Sequence, residues 1–91
     1  MKIKNAEKIL YVHAEGRDSP LHFGVADDPS ECKSGKVVYY EICVDLVEAI
    51  RRHMYLTHQN REDNAAMIAM IDRINPQWND LNDALERLNA D

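Results

Sequence analysis

The chain has 91 residues, which is the length of one domain, and 45% of them are hydrophobic while 30% are charged. This balance is typical of a globular protein, and no low-complexity tract or internal repeat interrupts it. No apolar run approaches the ~20 residues that cross a bilayer, and the first ten residues lack a signal-peptide pattern. We therefore expect a single cytoplasmic domain over residues 1–91 that has no membrane contact.

The net charge of −5 arises in one part of the chain. Between Glu15 and Glu48 there are eight acidic residues and three basic ones, a difference of five that equals the charge of the whole chain. An acidic surface repels phosphate groups and lacks the cations that release counterions from nucleic acid. The composition therefore disfavours nucleic acid as a partner and favours a basic host or cognate protein.

Three strands are predicted in the first half of the chain, at Ile9–Ala14, Leu21–Val25 and Lys36–Val44. The turn-forming residues between the first two predict a hairpin, and Gly24 indicates a bulge or a close backbone approach. At most one helical turn is expected after Pro29. The third strand is a near-continuous run of β-branched and aromatic residues, which is typical of the central strand of a sheet.

A helix is predicted after the third strand, with Asp45 as its N-cap and Glu48 completing an approximate capping box. Its apolar residues recur at three- and four-residue steps, and this spacing predicts one buried face. That face consists of Leu46, Val47, Ile50 and Met54.

Two more amphipathic helices are predicted. The first is capped by Asn60, has Asp63 at the capping-box position and stops at Asn75-Pro76. Its apolar stripe is Met67, Ile68, Ile71 and Ile74. The last helix carries a stripe that predicts either core packing or a homo-oligomer contact. This stripe is Trp78, Leu81, Leu85 and Leu88. The element order predicts an α+β fold, with three helices on a small three-stranded antiparallel sheet.

Four segments of the chain resemble a known protein family. They are LYV at Leu10–Val12, HFGVADD at His22–Asp28, VVYYE to EAIRR at Val37–Arg52, and IDRINPQWNDL at Ile71–Leu81. In this order they are similar to the small single-domain GIY-YIG proteins of bacteria. The VYYE and NP-x-W-x-D-L segments are the most specific, and the resemblance covers most of the chain. It implies a shortened GIY-YIG-like fold related to metal-dependent endonucleases.

The resemblance assigns candidate site residues to the hairpin. Tyr11 matches the tyrosine of the family's first motif, and Gly24 matches the glycine of the second motif. His22 stands where the family has its second tyrosine. The two family tyrosines lie on paired strands beside the active site, and an imidazole in place of one of them is still a competent base.

The phosphate-binding arginine and the metal-binding glutamate of the family have no counterpart. No arginine occurs between Arg17 and Arg51, and the helix that would carry it is largely missing. The glutamate position falls at His53, whose imidazole is a poor ligand for magnesium. Loss of both a fixed cation and a metal carboxylate is expected to lower the rate by several orders of magnitude.

These losses predict a catalytically inactive GIY-YIG-derived protein that binds another protein and needs no cofactor. Its size and acidity suit a phage or mobile-element accessory protein, such as an inhibitor of a host defence complex. Two alternatives stay open. A divergent endonuclease acting on DNA would use His22 as its base and Glu48 as a ligand of Mg²⁺ or Mn²⁺. A small-ligand or nucleotide binder would use the vacated pocket.

The histidines and cysteines have a second interpretation. His22 and His53 would form a zinc site with Cys32 if the three side chains converged. Their irregular spacing is not that of a metal motif, so surface or packing roles are favoured. Cys32 and Cys43 are expected to be reduced thiols, because no secretory context accompanies them.

The aromatic and basic residues near the third strand can be interpreted either as binding residues or as ordinary packing and surface residues. Tyr39 and Tyr40 would stack nucleic-acid bases if they lined one groove, although a central strand more often buries one such residue. The arginines would bind phosphate or an acidic partner, although a solvated helix face is favoured. These arginines are Arg51, Arg52 and Arg61.

Overall fold

The computed structural model describes residues 3–32, 35–59 and 65–88, and these form the predicted α+β fold. In chain order the elements are β1 (Lys8–His13), β2 (His22–Ala26), a short 3-10 helix (Pro29–Cys32), β3 (Val37–Cys43), α1 (Leu46–Gln59), α2 (Ala65–Ile74) and α3 (Asn82–Arg87). The predicted caps Asn60 and Asp63, together with Arg61, lie outside the described residues. None of the helices described has both the length and the hydrophobicity to cross a membrane.

The three strands form one antiparallel sheet in the order β2-β1-β3. The predicted hairpin of β1 and β2 is confirmed, with Tyr11 opposite Gly24 and His13 opposite His22. The prediction that β3 is the central strand is wrong, because β3 forms an edge of the sheet in the described residues. Its continuous apolar pattern arises because both faces of the sheet are covered, so side chains pointing to either side are buried.

A core cluster lies on each face of the sheet, because successive strand residues point to opposite sides. The α1/α2 face, which includes Leu10 and Val12, packs against α1, α2 and Trp78. The α3 face, which includes Ile9, packs against the 3-10 helix and Leu85 of α3. The two cysteines are free and lie in different clusters, Cys32 on the α3 face and Cys43 on the α1/α2 face.

α2 packs by its predicted stripe. Met67 and Ile71 are fully buried on the α1/α2 face, whereas Ile74 at the end of the helix is exposed. The helix stops where Asn75-Pro76 predicts. The buried side-chain amide of Asn75 then donates to the main-chain oxygen of Val38 (3.1 Å), which fixes the end of α2 to β3.

α3 is shorter than its stripe predicts. Trp78 precedes it in a turn with a φ of 54°, and its side chain is buried on the α1/α2 face. Leu85 is fully buried on the α3 face, and Leu81 and Leu88 pack around it. The chain's own sheet therefore covers this stripe, which leaves little apolar surface for the homo-oligomer contact predicted there.

α1 begins as predicted. Oδ1 of Asp45 accepts a hydrogen bond from the main-chain N–H of Glu48 (2.8 Å). Oε2 of Glu48 accepts one from the main-chain N–H of Val44 (2.9 Å), one residue before the position expected in a capping box. The Asp45 carboxylate thus satisfies a main-chain donor that the first turn of a helix leaves without a partner, and the Glu48 carboxylate ties this turn to the residue before the cap.

The buried face predicted for α1 is wrong. Its four residues expose between 46% and 64% of their surface, and they are Leu46, Val47, Ile50 and Met54. The side that packs on the sheet carries Ala49 and Leu56 instead. Small Ala49 lets the helix approach the sheet closely. The same orientation lets Arg52 reach Glu41 of β3, a polar contact that the apolar periodicity does not reveal.

Candidate functional site

Tyr11 and Gly24 form a tight cross-strand pair in the middle of the hairpin. A Cβ atom on Gly24 would lie 2.4 Å from Cζ of Tyr11, so the tyrosine ring lies directly on the glycine backbone. The close approach predicted at Gly24 is confirmed. The bulge lies elsewhere, between Val12 and His13 where β1 pairs with β3. Only glycine fits opposite Tyr11 without displacing the ring.

His13 adjoins the same pair, although no motif identifies it. Its ring packs edge-on against Tyr11, with ring centroids 4.8 Å apart, and it lies opposite His22 in the hairpin. Tyr11, His13 and His22 point to the same face because strand residues two apart do so. Alternation counted from Tyr11 is the sequence signal that places His13 in this group.

A cleft of about 310 Å³ opens beside the two histidines. It is lined by His13, Ala14, Glu15, Ser19, Pro20, His22, Gly35 and Lys36. The Lys36 ammonium donates a hydrogen bond to the main-chain oxygen of Glu15 (3.1 Å), which holds this cation at the rim. Two imidazoles and one ammonium therefore line the cleft together with Glu15, and their N–H groups can donate hydrogen bonds to a small anion.

Glu48 and His53 lie on the other side of the sheet from Tyr11 and His22. The ring of His53 meets Phe23 edge-on, with ring centroids 6.1 Å apart. Phe23 follows His22 directly in β2, so the two side chains point to opposite faces. Tyr11, His22 and Gly24 thus share one side, and α1 carries the other two candidates. The five candidate residues do not converge on one centre.

The zinc interpretation requires three side chains that the fold separates. Cys32 is buried on the α3 face, whereas His53 meets Phe23 on the α1/α2 face. Within residues 3–32, 35–59 and 65–88, no group of three His, Cys, Asp or Glu side chains is arranged to hold a metal ion. Burial, with nearby Glu31 and Asp28, raises the pKa of the Cys32 thiol to about 11, so the thiol stays protonated at neutral pH.

The Tyr11 phenol is also protonated at neutral pH. Burial raises its pKa above the ordinary value of 10.0, and the neighbouring Cys32 and Glu31 raise it further. A general base works best when its pKa is close to the operating pH. Tyr11 in this environment is therefore a hydrogen-bond donor and a packing residue, and it is a poor acceptor for the proton of an attacking water.

A partly buried polar cluster ties α1 to β3. Glu41 accepts hydrogen bonds from the Tyr39 phenol and, through Oε1, from Nε of Arg52 (2.8 Å). Burial, and then the bond to Glu41, raises the pKa of Tyr39 to about 12. The bond to Glu41 raises the pKa of Arg52. Tyr40 packs on the α3 face, so the two adjacent tyrosines do not form one stacking platform.

The outer side of α1 carries five of the seven exposed large hydrophobic residues in the described part of the chain. We call Leu46, Val47, Ile50 and Met54 the α1 ridge, and two further exposed residues, Val44 and Tyr55, adjoin it. A shallow groove of about 400 Å³ runs beside the ridge. It is lined by Asp45, Val47, Glu48, Arg51, Arg52 and Tyr55. Contiguous exposed apolar residues rimmed by charges are typical of a site that binds another protein.

No protein-family model, curated protein or solved structure matches this chain.

Proposed function

We propose that this chain is a non-catalytic binding protein that acts through protein–protein contact made by the outer side of α1. The observation that carries this proposal is the exposure of the α1 ridge on a helix that is already held to the sheet by its opposite side. We further propose that the scaffold derives from the GIY-YIG family, as the sequence resemblance implies.

The energetic argument concerns the apolar area that the ridge leaves in water. Burying apolar surface stabilises by about 25 cal/mol for each Å² removed from water. Isolated exposed apolar residues are ordinary, whereas a contiguous exposed apolar group often marks an interaction site. A partner that covers the ridge would recover this energy, and the neighbouring charges would orient it.

The hairpin supports a binding role over a catalytic one. Tyr11 is protonated and packed on Gly24, while His53 and Glu48 lie across the sheet. One oxygen of the Glu48 carboxylate already accepts a hydrogen bond from the main-chain N–H of Val44. Metal-dependent hydrolysis requires a metal, a base and a cation arranged around one phosphate. The residues matched to the family's motifs lie on different faces of the sheet, which favours the non-catalytic proposal.

A paired experiment tests this proposal. The tagged wild-type chain should capture one protein in stoichiometric amount from a lysate of the source cells. Ile50→Asp should abolish capture because it places a charge in the middle of the ridge. Ala69→Asp is the matched control, since it adds the same charge at an exposed position of α2. Capture that is equal for all three forms would contradict the proposed surface.

Nuclease activity is tested separately. Purified protein with Mg²⁺ or Mn²⁺ should leave DNA intact. Metal-dependent cleavage that disappears in Tyr11→Phe and in His22→Ala would overturn the non-catalytic proposal and support the divergent endonuclease.

A second candidate function concerns the cleft beside His13 and His22. Its imidazoles and the Lys36 ammonium suit a small anionic ligand such as a nucleotide. A ligand that binds only the native state raises the unfolding temperature. Thermal-shift measurements with nucleotides should therefore show an increase that Lys36→Met removes, if this cleft binds them. No shift at millimolar nucleotide would dismiss this candidate.

A further inference from the structure

We infer that the cleft beside His13 and His22 binds a dianionic phosphoryl or sulfate group, and that its two imidazoles take up protons as the anion binds. This inference rests on the second candidate function, and it specifies the chemical class of the ligand and the control of binding by pH. It follows from the meeting of three chain segments at one end of the sheet, from the charges that face the cleft and from the size of the cleft.

Three segments of the chain meet at the cleft. The end of β1 supplies His13, the start of β2 supplies His22, and the segment before β3 supplies Lys36. His13 and His22 lie directly opposite each other in the hairpin. Side chains of opposite residues in antiparallel strands lie on the same face, with Cβ atoms about 5 Å apart. The two imidazoles are therefore close enough to act on one small ligand.

Contacts between these segments hold the wall of the cleft. The main-chain N–H of Ala14 donates to the main-chain oxygen of Lys36 (3.0 Å), which joins the end of β1 to the residue before β3. Gly35 lies so close to His13 that a Cβ atom there would be 3.2 Å from Nδ1. The side-chain amide of Asn82 donates to the main-chain oxygen of Gly35 (3.0 Å) and ties this segment to α3. The groups that face the cleft are thus positioned in advance, which lowers the entropic cost of binding.

The Lys36 ammonium supplies a cation that can contact a ligand directly. It donates one hydrogen bond to the main-chain oxygen of Glu15, and an ammonium has three N–H donors, so two are left for an anion. The exposed Glu15 carboxylate lines the same cleft and offsets this charge. Arg17 follows in the same loop, but its guanidinium is bound to Asp72 of α2. The cleft therefore has no large fixed charge of its own.

Protonation of the imidazoles decides the charge of the cleft. The residues that line it include four ionisable ones, and these are His13, His22, Glu15 and Lys36. Imidazole is the side chain whose charge ordinarily changes between pH 5 and pH 8. Tyr11, which packs on His13, stays neutral there because burial raises its pKa above 10.0. Since Lys36 and Glu15 offset each other, protonation of both imidazoles leaves two positive charges, and a dianion matches them.

The size and lining of the cleft favour the anionic group itself over the rest of a large ligand. Ligand pockets range from about 300 to 1,000 Å³, and this cleft holds about 310 Å³. Among the described residues that line it, none carries a phenyl, phenol or indole ring on which a base would stack. The phosphoryl group of a nucleotide should therefore determine its affinity, and the base should add little.

A sulfate titration of the full chain, followed by NMR at constant ionic strength, tests the inference. Sulfate stays a dianion across this pH interval, whereas a phosphate monoester changes its own charge near pH 6. The affinity should rise at least about tenfold between about pH 8 and about pH 5.5, since each imidazolium about 4 Å from one negative charge contributes roughly fivefold even in bulk water. An affinity that does not rise as the pH falls overturns the inference.

Substitutions separate the fixed cation from the titrating groups. Lys36→Met should weaken sulfate binding at every pH and leave its dependence on pH in place. His22→Gln should weaken binding mainly at low pH and flatten that dependence. His58→Gln removes an exposed histidine of α1 and is the matched control, which should bind like the wild type. Sulfate stabilises proteins in general, so a response to sulfate that is equal in all four proteins would contradict a site in the cleft.

The histidine ring resonances provide a readout that does not depend on affinity. Coupling between anion binding and protonation is reciprocal, so bound sulfate should raise the pH at which His13 and His22 lose their protons. The chain has four histidines, and His53 and His58 serve as internal controls in the same spectrum. Midpoints that stay fixed in sulfate, or that move equally for all four rings, would contradict proton uptake at the cleft.

The ligand series separates this inference from the second candidate function. Inorganic phosphate and adenosine monophosphate should bind, and adenosine should not. Adenosine that binds as well as its monophosphate overturns the assignment to the phosphoryl group. Nucleotide binding of equal strength at every pH overturns the inference and leaves the second candidate function standing. If sulfate, phosphate and nucleotide all fail to bind at millimolar concentration, both fall, and the proposal for the α1 ridge is unaffected because protein capture tests it.

Discussion

α1 and α2 carry similar apolar stripes, yet they use them in opposite ways. α2 buries Met67 and Ile71 of its stripe against the sheet. α1 turns its stripe, with Ile50 at the centre, towards solvent and packs Ala49 and Leu56 inward. The difference teaches that an amphipathic pattern identifies an apolar face without identifying what covers that face. For α2 the cover is the chain itself, and for α1 we propose that it is another molecule.

Polar groups on β3 favour the observed orientation of α1. Glu41 points to the α1/α2 face, where it is partly shielded from water by the helix. A carboxylate in that position is costly unless it is hydrogen-bonded, and Tyr39 and Arg52 supply the bonds. Rotating the apolar stripe inward would withdraw Arg52 and leave Glu41 with less compensation. β3 offers α2 no such charge, so α2 packs by its stripe.

The sharpest test compares equivalent truncations in the two helices. Ile71→Ala should lower the free energy of unfolding by about 2–5 kcal/mol, because it empties a fully buried site. Ile50→Ala should change it by less than about 0.5 kcal/mol, because the side chain is exposed in the single chain. Urea unfolding at submicromolar protein concentration measures both losses. Similar losses in the two variants would contradict the outward orientation of α1.

Substitutions in the polar cluster of Tyr39, Glu41 and Arg52 should cause the next largest loss in the free energy of unfolding. Glu41→Gln should cost about 1–3 kcal/mol, because it weakens charge-assisted bonds at a partly buried site. Arg52→Met should cost a similar amount, and the double variant should cost less than the two losses added together. Arg51→Met is the control, since it removes an exposed arginine one position away on the same helix. Additive losses would show that the pair does not fix α1.

The contrast between the helices also marks how far sequence reasoning reaches. The strands, the cap at Asp45 and the helix stop at Asn75-Pro76 depend on local chemistry, and each lies within a residue or two of its predicted position. The closeness of Gly24 to a neighbour was predictable for the same reason. The neighbour itself, Tyr11, depends on the register of the hairpin.

Non-local pairing accounts for what was missed. The continuous apolar pattern of β3 is compatible with a central strand or with an edge strand covered on both faces, and only the strand order decides between them. The inward side of α1 depends on Glu41 and Arg52 meeting across eleven positions of the chain. The separation of His53 from His22 likewise depends on which side of the sheet α1 occupies.

High pH should lower the free energy of unfolding, because it ionises the Tyr39 phenol of the polar cluster. The folded state raises the pKa of Tyr39 from 10.0 to about 12, so its neutral phenol is favoured by folding. The resulting stability is fully present below about pH 10 and is lost as the pH rises towards 12, by about 1–2 kcal/mol. Urea unfolding of the wild type and Tyr39→Phe across this interval should show a steeper decline in the wild type. An equal decline of unfolding free energy with pH in the two proteins would indicate that the Tyr39 phenol is exposed to solvent.

Low pH should weaken a hydrogen-bonded ion pair of α2. Among the changes predicted here, this one should alter the free energy of unfolding least. The Asp72 carboxylate of α2 accepts hydrogen bonds from Nε of Arg17 (3.1 Å) and from the Trp78 indole N–H (2.8 Å), and these lower its pKa below 3.8. Stability from this bond is present above that ordinary value and is lost as the pH falls through the lower folded-state value. Asp72→Asn should therefore flatten the dependence of unfolding free energy on pH between about pH 5 and pH 2. Asp83→Asn, at an exposed position of α3, is the control.

The loss of stability caused by Asp72→Asn should distinguish α2 from α1. The Arg17–Asp72 pair lies at the protein surface, where ion pairs contribute little to stability. α2 should stay packed without the pair, since Met67 and Ile71 hold it to the sheet. α1 has a less apolar inward side and should depend more on its own ion pair with Glu41. If Asp72→Asn destabilises the chain as much as Glu41→Gln, polar contacts hold both helices, and the difference between them lies only in which apolar face is left exposed.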